Sequence, residues 1–191
     1  MSLTFANKIT LCRILAVPFF IATILYYSPE RDFLRYIALG IFLFAVISDA
    51  VDGYIARTRH QKTQAGAILD PLADKLLLMS AFICLYKIGG DFASVRFPLW
   101  LIVAMISRDA ILLIGALLIY VICGNLTIEA TFLGKASTFF QVCTILGMLL
   151  QIPSSTMLWD FTVIFAALSI VDYIRKGIKG MNDASTKGKI K

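Results

Sequence analysis

Apolar residues do not alternate along this chain; they run in six long blocks separated by short polar or basic connectors. Crossing ~30 Å of hydrocarbon takes roughly 20 mostly apolar residues in helical form. The blocks lie at approximately 8–28, 33–56, 67–88, 97–123, 131–152 and 158–175. Each is near that length, so the pattern predicts an all-α, polytopic membrane protein with six transmembrane helices. The opening "MSLTFAN" predicts a short N-terminal interfacial segment, with Leu3 and Phe5 dipping into lipid. The closing "KGIKGMNDASTKGKIK" is polar, basic and glycine-containing, and is expected to fray. The chain thus divides into a membrane domain, 1–180, and a basic C-terminal tail, 181–191. No small-residue cleavage pattern follows the first block, which reads as a retained helix. The internal halves that mark many transporters are not evident.

Composition bears on the solvent. The 191 residues are 59% hydrophobic and 16% charged, and the mean hydropathy is +0.84. A soluble domain averages about half apolar and about a quarter charged, so in water this chain would carry a greasy surface. The net charge of +6 would suggest a nucleic-acid partner in a soluble protein. Here the basic residues sit in connectors and the tail, where topology and anionic lipid headgroups account for them; no nucleic acid is expected. Cys12, Cys84, Cys123 and Cys143 lie far apart, within or beside apolar blocks, and form neither a metal-ligand spacing nor a disulfide framework. They read as buried, inert thiols.

Orientation follows from lysine and arginine. With both termini cytoplasmic, the inner segments hold Lys8, Arg13, Arg57, Arg59, Lys62, Lys135, Arg175, Lys176, Lys179, Lys187, Lys189 and Lys191. The outer connectors hold only Arg31, Arg35, Lys87 and Arg96. The positive-inside rule therefore puts both ends in the cytoplasm.

Against this apolar background one stretch stands apart, "SDAVDGYIARTRHQKTQAGAILDPLADK", residues 48–75. Of 12 acidic residues in the chain, Asp49, Asp52, Asp70 and Asp74 fall here. Asp49 and Asp52 are three apart and share one helix face, ~4.5 Å along the axis. Asp70 and Asp74 are four apart and do the same on the next helix. A short basic turn joins the two, so they are expected to be antiparallel neighbours whose carboxylates converge. Gathered carboxylates repel, and at membrane depth they persist only when paired or functional. All-oxygen donors without Cys or His favour Mg²⁺, Mn²⁺ or Ca²⁺, and two such ions ~4 Å apart would clamp a phosphate undergoing displacement. Gly53, Ala56 and Gly66 leave room for close approach to the backbone, and Arg57 can fork onto a phosphate. A plain reading, in which the acids only pair with Arg57, Arg59, Lys62 and Lys75, leaves the double spacing unexplained. Asp70 before Pro71 also fits a helix cap with proline at the first helical position.

These residues resemble a known signature. Asp49-x-x-Asp52-Gly53-x-x-Ala56-Arg57, eight residues, then Gly66-x-x-x-Asp70-x-x-x-Asp74 is similar to that of the CDP-alcohol phosphatidyltransferases. The resemblance implies a six-helix membrane enzyme, usually homodimeric, that moves a phosphatidyl group from CDP-diacylglycerol to an alcohol and releases CMP. It implies a bacterial cytoplasmic membrane, with the site on the cytoplasmic side. Asp49, Asp52 and Asp70 would be metal ligands for Mg²⁺ or Mn²⁺, two ions by expectation. Asp74 would be the catalytic base and a further ligand. Asp52, Gly53, Ala56, Arg57 and Gly66 would hold the CDP group. The opening "NKITLCRILAVP" resembles the phosphatidylglycerophosphate synthase and cardiolipin synthase branches, and places Asn7 and Thr10 near the nucleotide; the alternative is that both cap the first helix.

The acceptor is read from blocks four and five. Arg108 and Lys135 are expected to hold the acceptor phosphate. Their alternatives are an Arg108–Asp109 pair, which divergent neighbouring helix positions disfavour, and a topological role for Lys135. Glycerol 3-phosphate is the first expectation. Arg108–Asp109 departs from the Arg-Glu of many phosphatidylglycerophosphate synthases and looks more like cardiolipin synthases, which use phosphatidylglycerol; Gly134, Lys135, Thr138 and Gln141 fit both. A cation transporter and a non-catalytic lipid-binding scaffold are the more distant readings. Trp100, Trp159, Asp172 and Tyr173 read as interfacial anchors, and His60 as solvated.

Overall fold

The structure is a computed structural model that describes the backbone at residues 5–58, 64–92, 97–123, 132–152 and 155–188. Side chains are described over 11–49, 51, 72–89, 97–115, 132–152 and 157–176. Among the described residues there are six α-helices and no strands: α1 Phe5–Leu25, α2 Phe33–Thr58, α3 Gln64–Phe92, α4 Leu99–Cys123, α5 Phe132–Leu149 and α6 Ser155–Gly188. A 3-10 turn, Pro29–Arg31, joins α1 to α2. The six expected helices form, with two revisions at the ends. α1 is already helical at Phe5, so the expected interfacial segment is not separate from it; residues 1–4 lie outside the described ones. α6 continues through Gly188, into the tail expected to fray.

Chain contacts divide the molecule into two compact units, Met1–Pro98 with Ile145–Pro153, and Leu99–Thr144 with Ser154–Lys191. In the first, α1 packs against both α2 and α3. Its inward face carries Arg13, Phe20 and Ile24, spaced seven and four apart as one helical stripe requires. α2 answers with Arg35, Ala38, Phe42 and Ala45, and the rings of Phe20 and Phe42 meet at 5.9 Å. The buried positions of α3 include Ala73, Leu77, Ala81 and Leu85, again at intervals of four. One end is fastened by Arg35. Its Nε and Nη2 donate to Asp32 at 2.8 Å each, Nη1 donates to the Leu149 carbonyl at 3.3 Å, and the guanidinium lies 4.6 Å from the Tyr36 ring centroid. The Arg35 bond holds the Asp32 carboxyl below its ordinary range.

The second unit joins α4 to α6, and its interior is polar. Ser137, Gln141 and Thr144 on α5, and Thr162 and Ser169 on α6, are all buried. Thr144 and Thr162 share a hydroxyl hydrogen bond of 2.8 Å, and Gln141 donates to the Met105 sulfur at 3.3 Å. Phe140 stacks on Phe165 at 4.6 Å. Gly115 of α4 faces the Tyr173 ring so closely that a methyl there would lie 2.7 Å from Cε1. Tyr173 thus packs against α4; Trp159 is buried, while Trp100 is exposed.

The outer surfaces of both units are oily. Phe19, Phe44 and Ile47 point outward in the first, and Val103, Ile114, Phe139 and Ile164 in the second. An apolar outer surface with polar groups turned inward, as in the second unit, is the arrangement a hydrocarbon solvent selects, since lipid, unlike water, offers no hydrogen-bond partner. Among the described residues, 132–149 and 157–176 are long and apolar enough to cross a membrane. Cys12 is exposed on this outer surface and Cys84 is buried, so only part of the thiol set is enclosed.

Candidate active site

Helical register explains where the acids stand. On α2 the buried stripe Ala38, Phe42, Ala45 advances by four and three. Asp49 and Asp52 are its next two steps, again four and three on. On α3, Asp74 precedes Leu77 by three and Ala81 by seven, and Asp70 precedes Asp74 by four. Both acid pairs therefore occupy the register of a core-facing stripe, at the end of α2 and the start of α3. What gathers the two helices is α1, against which each packs.

The end of this unit holds a buried cation. Arg13 of α1 is 1% exposed. Its Nη1 lies 2.7 Å from Asp49 Oδ1, and the Asp49 side chain is half-exposed. This is an ionic contact off the axis of a hydrogen bond; Nε and Nη2 also meet no hydrogen-bond acceptor among the described residues. Asp74 is partly buried on α3 and is engaged by neighbouring groups.

The other expected site residues are placed by their helices. Asn7 and Thr10 lie within α1, past its first residue, Phe5, so neither caps that helix. Asp52, Gly53, Ala56 and Arg57 lie in the last turns of α2. Gly66 and Asp70 lie in the first two turns of α3. The side chains of all these residues are outside the described ones, as is the basic connector 59–63. α3 begins at Gln64, so Asp70 and Pro71 sit inside the helix and the capping alternative for Asp70 is set aside.

Arg108 and Lys135 belong to the second unit. Arg108 is 1% exposed. Its Nη1 pairs with Asp109, while Nη2 donates to the Gly134 carbonyl at 3.2 Å and to Ser169 Oγ at 3.0 Å. The pair that helical divergence disfavoured does form; in this interior the desolvated carboxylate of Asp109 has strong reason to take the adjacent guanidinium. Lys135, one residue beyond Gly134, is exposed. Arg108 therefore reaches to within one residue of Lys135 and ties the start of α5 to α4 and α6.

Comparison with known proteins identifies the family. The sequence profile of the CDP-alcohol phosphatidyltransferase family matches residues 3–172. This chain belongs to that family. A Mycobacterium tuberculosis protein named a probable phosphatidylglycerophosphate synthase is 32% identical over 91% of this chain and 81% of its own length. The Bacillus subtilis CDP-diacylglycerol–glycerol-3-phosphate 3-phosphatidyltransferase is 31% identical over 94% and 97% respectively. A Mycobacterium bovis protein bearing the name of a cardiolipin synthase is 31% identical over 72% of this chain and 60% of its own. As a CDP-alcohol phosphatidyltransferase the chain is an enzyme of phospholipid biosynthesis, and its apolar helices are those of a membrane protein. One residue of this phosphatidyltransferase escaped the sequence reading. Arg13 counted there as an inner-segment positive charge and as part of the family-like opening, with no site role; the structure buries it beside Asp49. The available signal was its place inside an apolar block, where an unmatched guanidinium is costly.

Proposed function

We propose that this chain transfers the phosphatidyl group of CDP-diacylglycerol to the hydroxyl of glycerol 3-phosphate, with release of CMP. The observation that carries the reading is the packing of two acid-bearing helices, α2 and α3, on one helix, α1, with all eight signature positions in place along them. Relatives named for this reaction match most of the chain.

Asp49, Asp52, Asp70 and Asp74 would hold Mg²⁺ or Mn²⁺, by expectation as two ions. The donor set fits: it is all oxygen, and Asp49 already has a cation, the Arg13 guanidinium, 2.7 Å away. When bound, such metal would neutralise the diphosphate and the departing CMP. Asp74 takes the proton from the acceptor hydroxyl as that oxygen bonds to the β-phosphorus. The bond from this phosphorus to the bridging oxygen breaks, and CMP leaves with the electron pair. Gly53, Ala56 and Gly66 admit the nucleotide close to the backbone, Arg57 forks onto the diphosphate, and Asn7 and Thr10 lie on the helix beside it. An apolar cleft of about 420 Å³ between α1 and α2, lined by Cys12, Leu15, Phe19, Gly40 and Phe44, begins one residue from Arg13 and suits an acyl tail. Lys135 receives the acceptor phosphate, with Arg108 holding the backbone beside it. The six helices span a bacterial inner membrane with both termini cytoplasmic, and the enzyme works as a homodimer.

The test is CMP release by the detergent-purified protein. Release should need Mg²⁺ or Mn²⁺ and an acceptor, stop with chelator, and fall about 10²–10⁴-fold in Asp74→Asn. Release that survives chelator, or full activity in Asp74→Asn, refutes the mechanism. Product masses with glycerol 3-phosphate, phosphatidylglycerol, inositol phosphate or serine supplied singly identify the acceptor. Cardiolipin synthesis is the second reading. It is favoured by the Arg108–Asp109 pair, and phosphatidylglycerol would then be the acceptor that supports turnover.

A further inference from the structure

Three arginines are buried among the described residues, Arg13, Arg35 and Arg108, and they are not alike. Every guanidinium nitrogen of Arg35 donates to an acceptor, in Asp32, Leu149 or Tyr36. Arg108 places both Nη atoms on acceptors. Arg35 is fully satisfied and Arg108 lacks an acceptor among the described residues only at Nε; both are structural ties. Arg13 makes no hydrogen bond from Nε, Nη1 or Nη2 among the described residues, although it is as deeply buried as Arg108. Among the described residues its one ionic partner is the carboxylate of Asp49, at 2.7 Å. A guanidinium removed from water without hydrogen bonds costs several kcal/mol, so this placement is a poor choice for stability. It makes sense beside a carboxylate destined for another cation.

We propose that Arg13 is a positioning residue that competes with divalent metal for Asp49: it holds this carboxylate in the metal-free enzyme and sets how tightly metal is taken up. The inference rests on the metal reading above and goes beyond it. Carboxylates gathered without metal repel one another and would splay; a resident cation on α1 holds Asp49 in the core stripe of α2. Metal arriving at Asp49 must displace or oppose that charge, which keeps uptake reversible. The off-axis contact is suited to release, because no hydrogen bond has to break.

The test uses the full chain in detergent and reads metal directly, by the electron paramagnetic resonance signal of free Mn²⁺. Arg13→Gln should bind Mn²⁺ about tenfold or more tightly, since a unit positive charge a few ångströms from a divalent ion is removed. Arg13→Met, which keeps the apolar stem, should do the same if Gln disturbs packing. Arg13→Lys keeps the charge and should stay within about threefold of wild type. In chelator, a double-mutant cycle on melting temperature should show coupling between Arg13→Gln and Asp49→Asn; saturating Mn²⁺ should abolish the Arg13 contribution. Unchanged or weaker Mn²⁺ binding in both Arg13→Gln and Arg13→Met overturns the proposal while leaving the metal reading intact. A wild type that binds no Mn²⁺ overturns both.

Discussion

At the scale of single residues, buried polar groups are the informative ones, because the cost of placing them must be met locally. Arg108 meets it with Asp109, Ser169 and the Gly134 carbonyl. Tyr173 does not: its hydroxyl is buried without a hydrogen-bond partner among the described residues, and the ring is pressed against Gly115. Only hydrogen fits at position 115. Gly115→Ala should therefore destabilise by about 1–3 kcal/mol, the usual cost of overpacking. The loss should be smaller when Tyr173→Leu removes the ring. Thermal melting of the two single variants and the double variant checks this. Equal losses with and without the ring would mean that the close approach is not the cause.

At the scale of elements, the four signature aspartates share the register that places the core. Ala38, Phe42 and Ala45 face inward, and Asp49 and Asp52 continue their spacing, so packing α2 on α1 aims that face without further instruction. The outward side of the α1–α2 pair is different in kind. A Cβ at Gly40 would meet nothing within 4 Å, so a larger residue folds there but fills the apolar cleft. Gly40→Leu is expected to raise KM for a long-chain CDP-diacylglycerol by about tenfold, the loss of one to two buried methylenes' worth of contact, and to leave a short-chain donor nearly unaffected. Equal KM changes for both donors would place the acyl tails elsewhere. Cohesion in the second unit has another source. Lipid tails are as apolar as leucine, so burial from lipid gains little; bonds such as Thr144–Thr162 at 2.8 Å contribute about 0.6–2 kcal/mol each instead.

At the scale of the whole molecule, large apolar side chains lie outside as well as inside, and several polar ones are enclosed. Arg13, Arg108, Gln141 and Thr144 are enclosed while Phe19, Ile47, Phe139 and Ile164 are exposed. Such a molecule needs a hydrocarbon surround, and its donor and product lipids share that surround. The excess of lysine and arginine on one set of connectors is the basis for proposing cytoplasmic termini. A C-terminal tag should therefore be cleaved by protease in inside-out vesicles and protected in right-side-out ones; the opposite pattern would turn the active site to the other side of the membrane.

Much of this was legible in order along the chain. Six apolar blocks gave six helices because length and composition are local properties, and the aspartate spacing gave two acid-bearing faces because helical register is local too. The family signature is local in the same sense, lying wholly within residues 49–74. Partnership is not local. α1 draws α2 and α3 together, and nothing in the spacing of the aspartates names Arg13, thirty-six positions before Asp49, as the cation beside one of them. Likewise, Arg108 and Asp109 look divergent on an ideal helix, yet burial makes the adjacent charge the best partner available. The sequence determined which surfaces are oily, which faces are acidic and which reaction class they serve. Tertiary packing decided which charges meet, because the desolvation that compels a buried charge to find a partner exists only once the helices have closed around it.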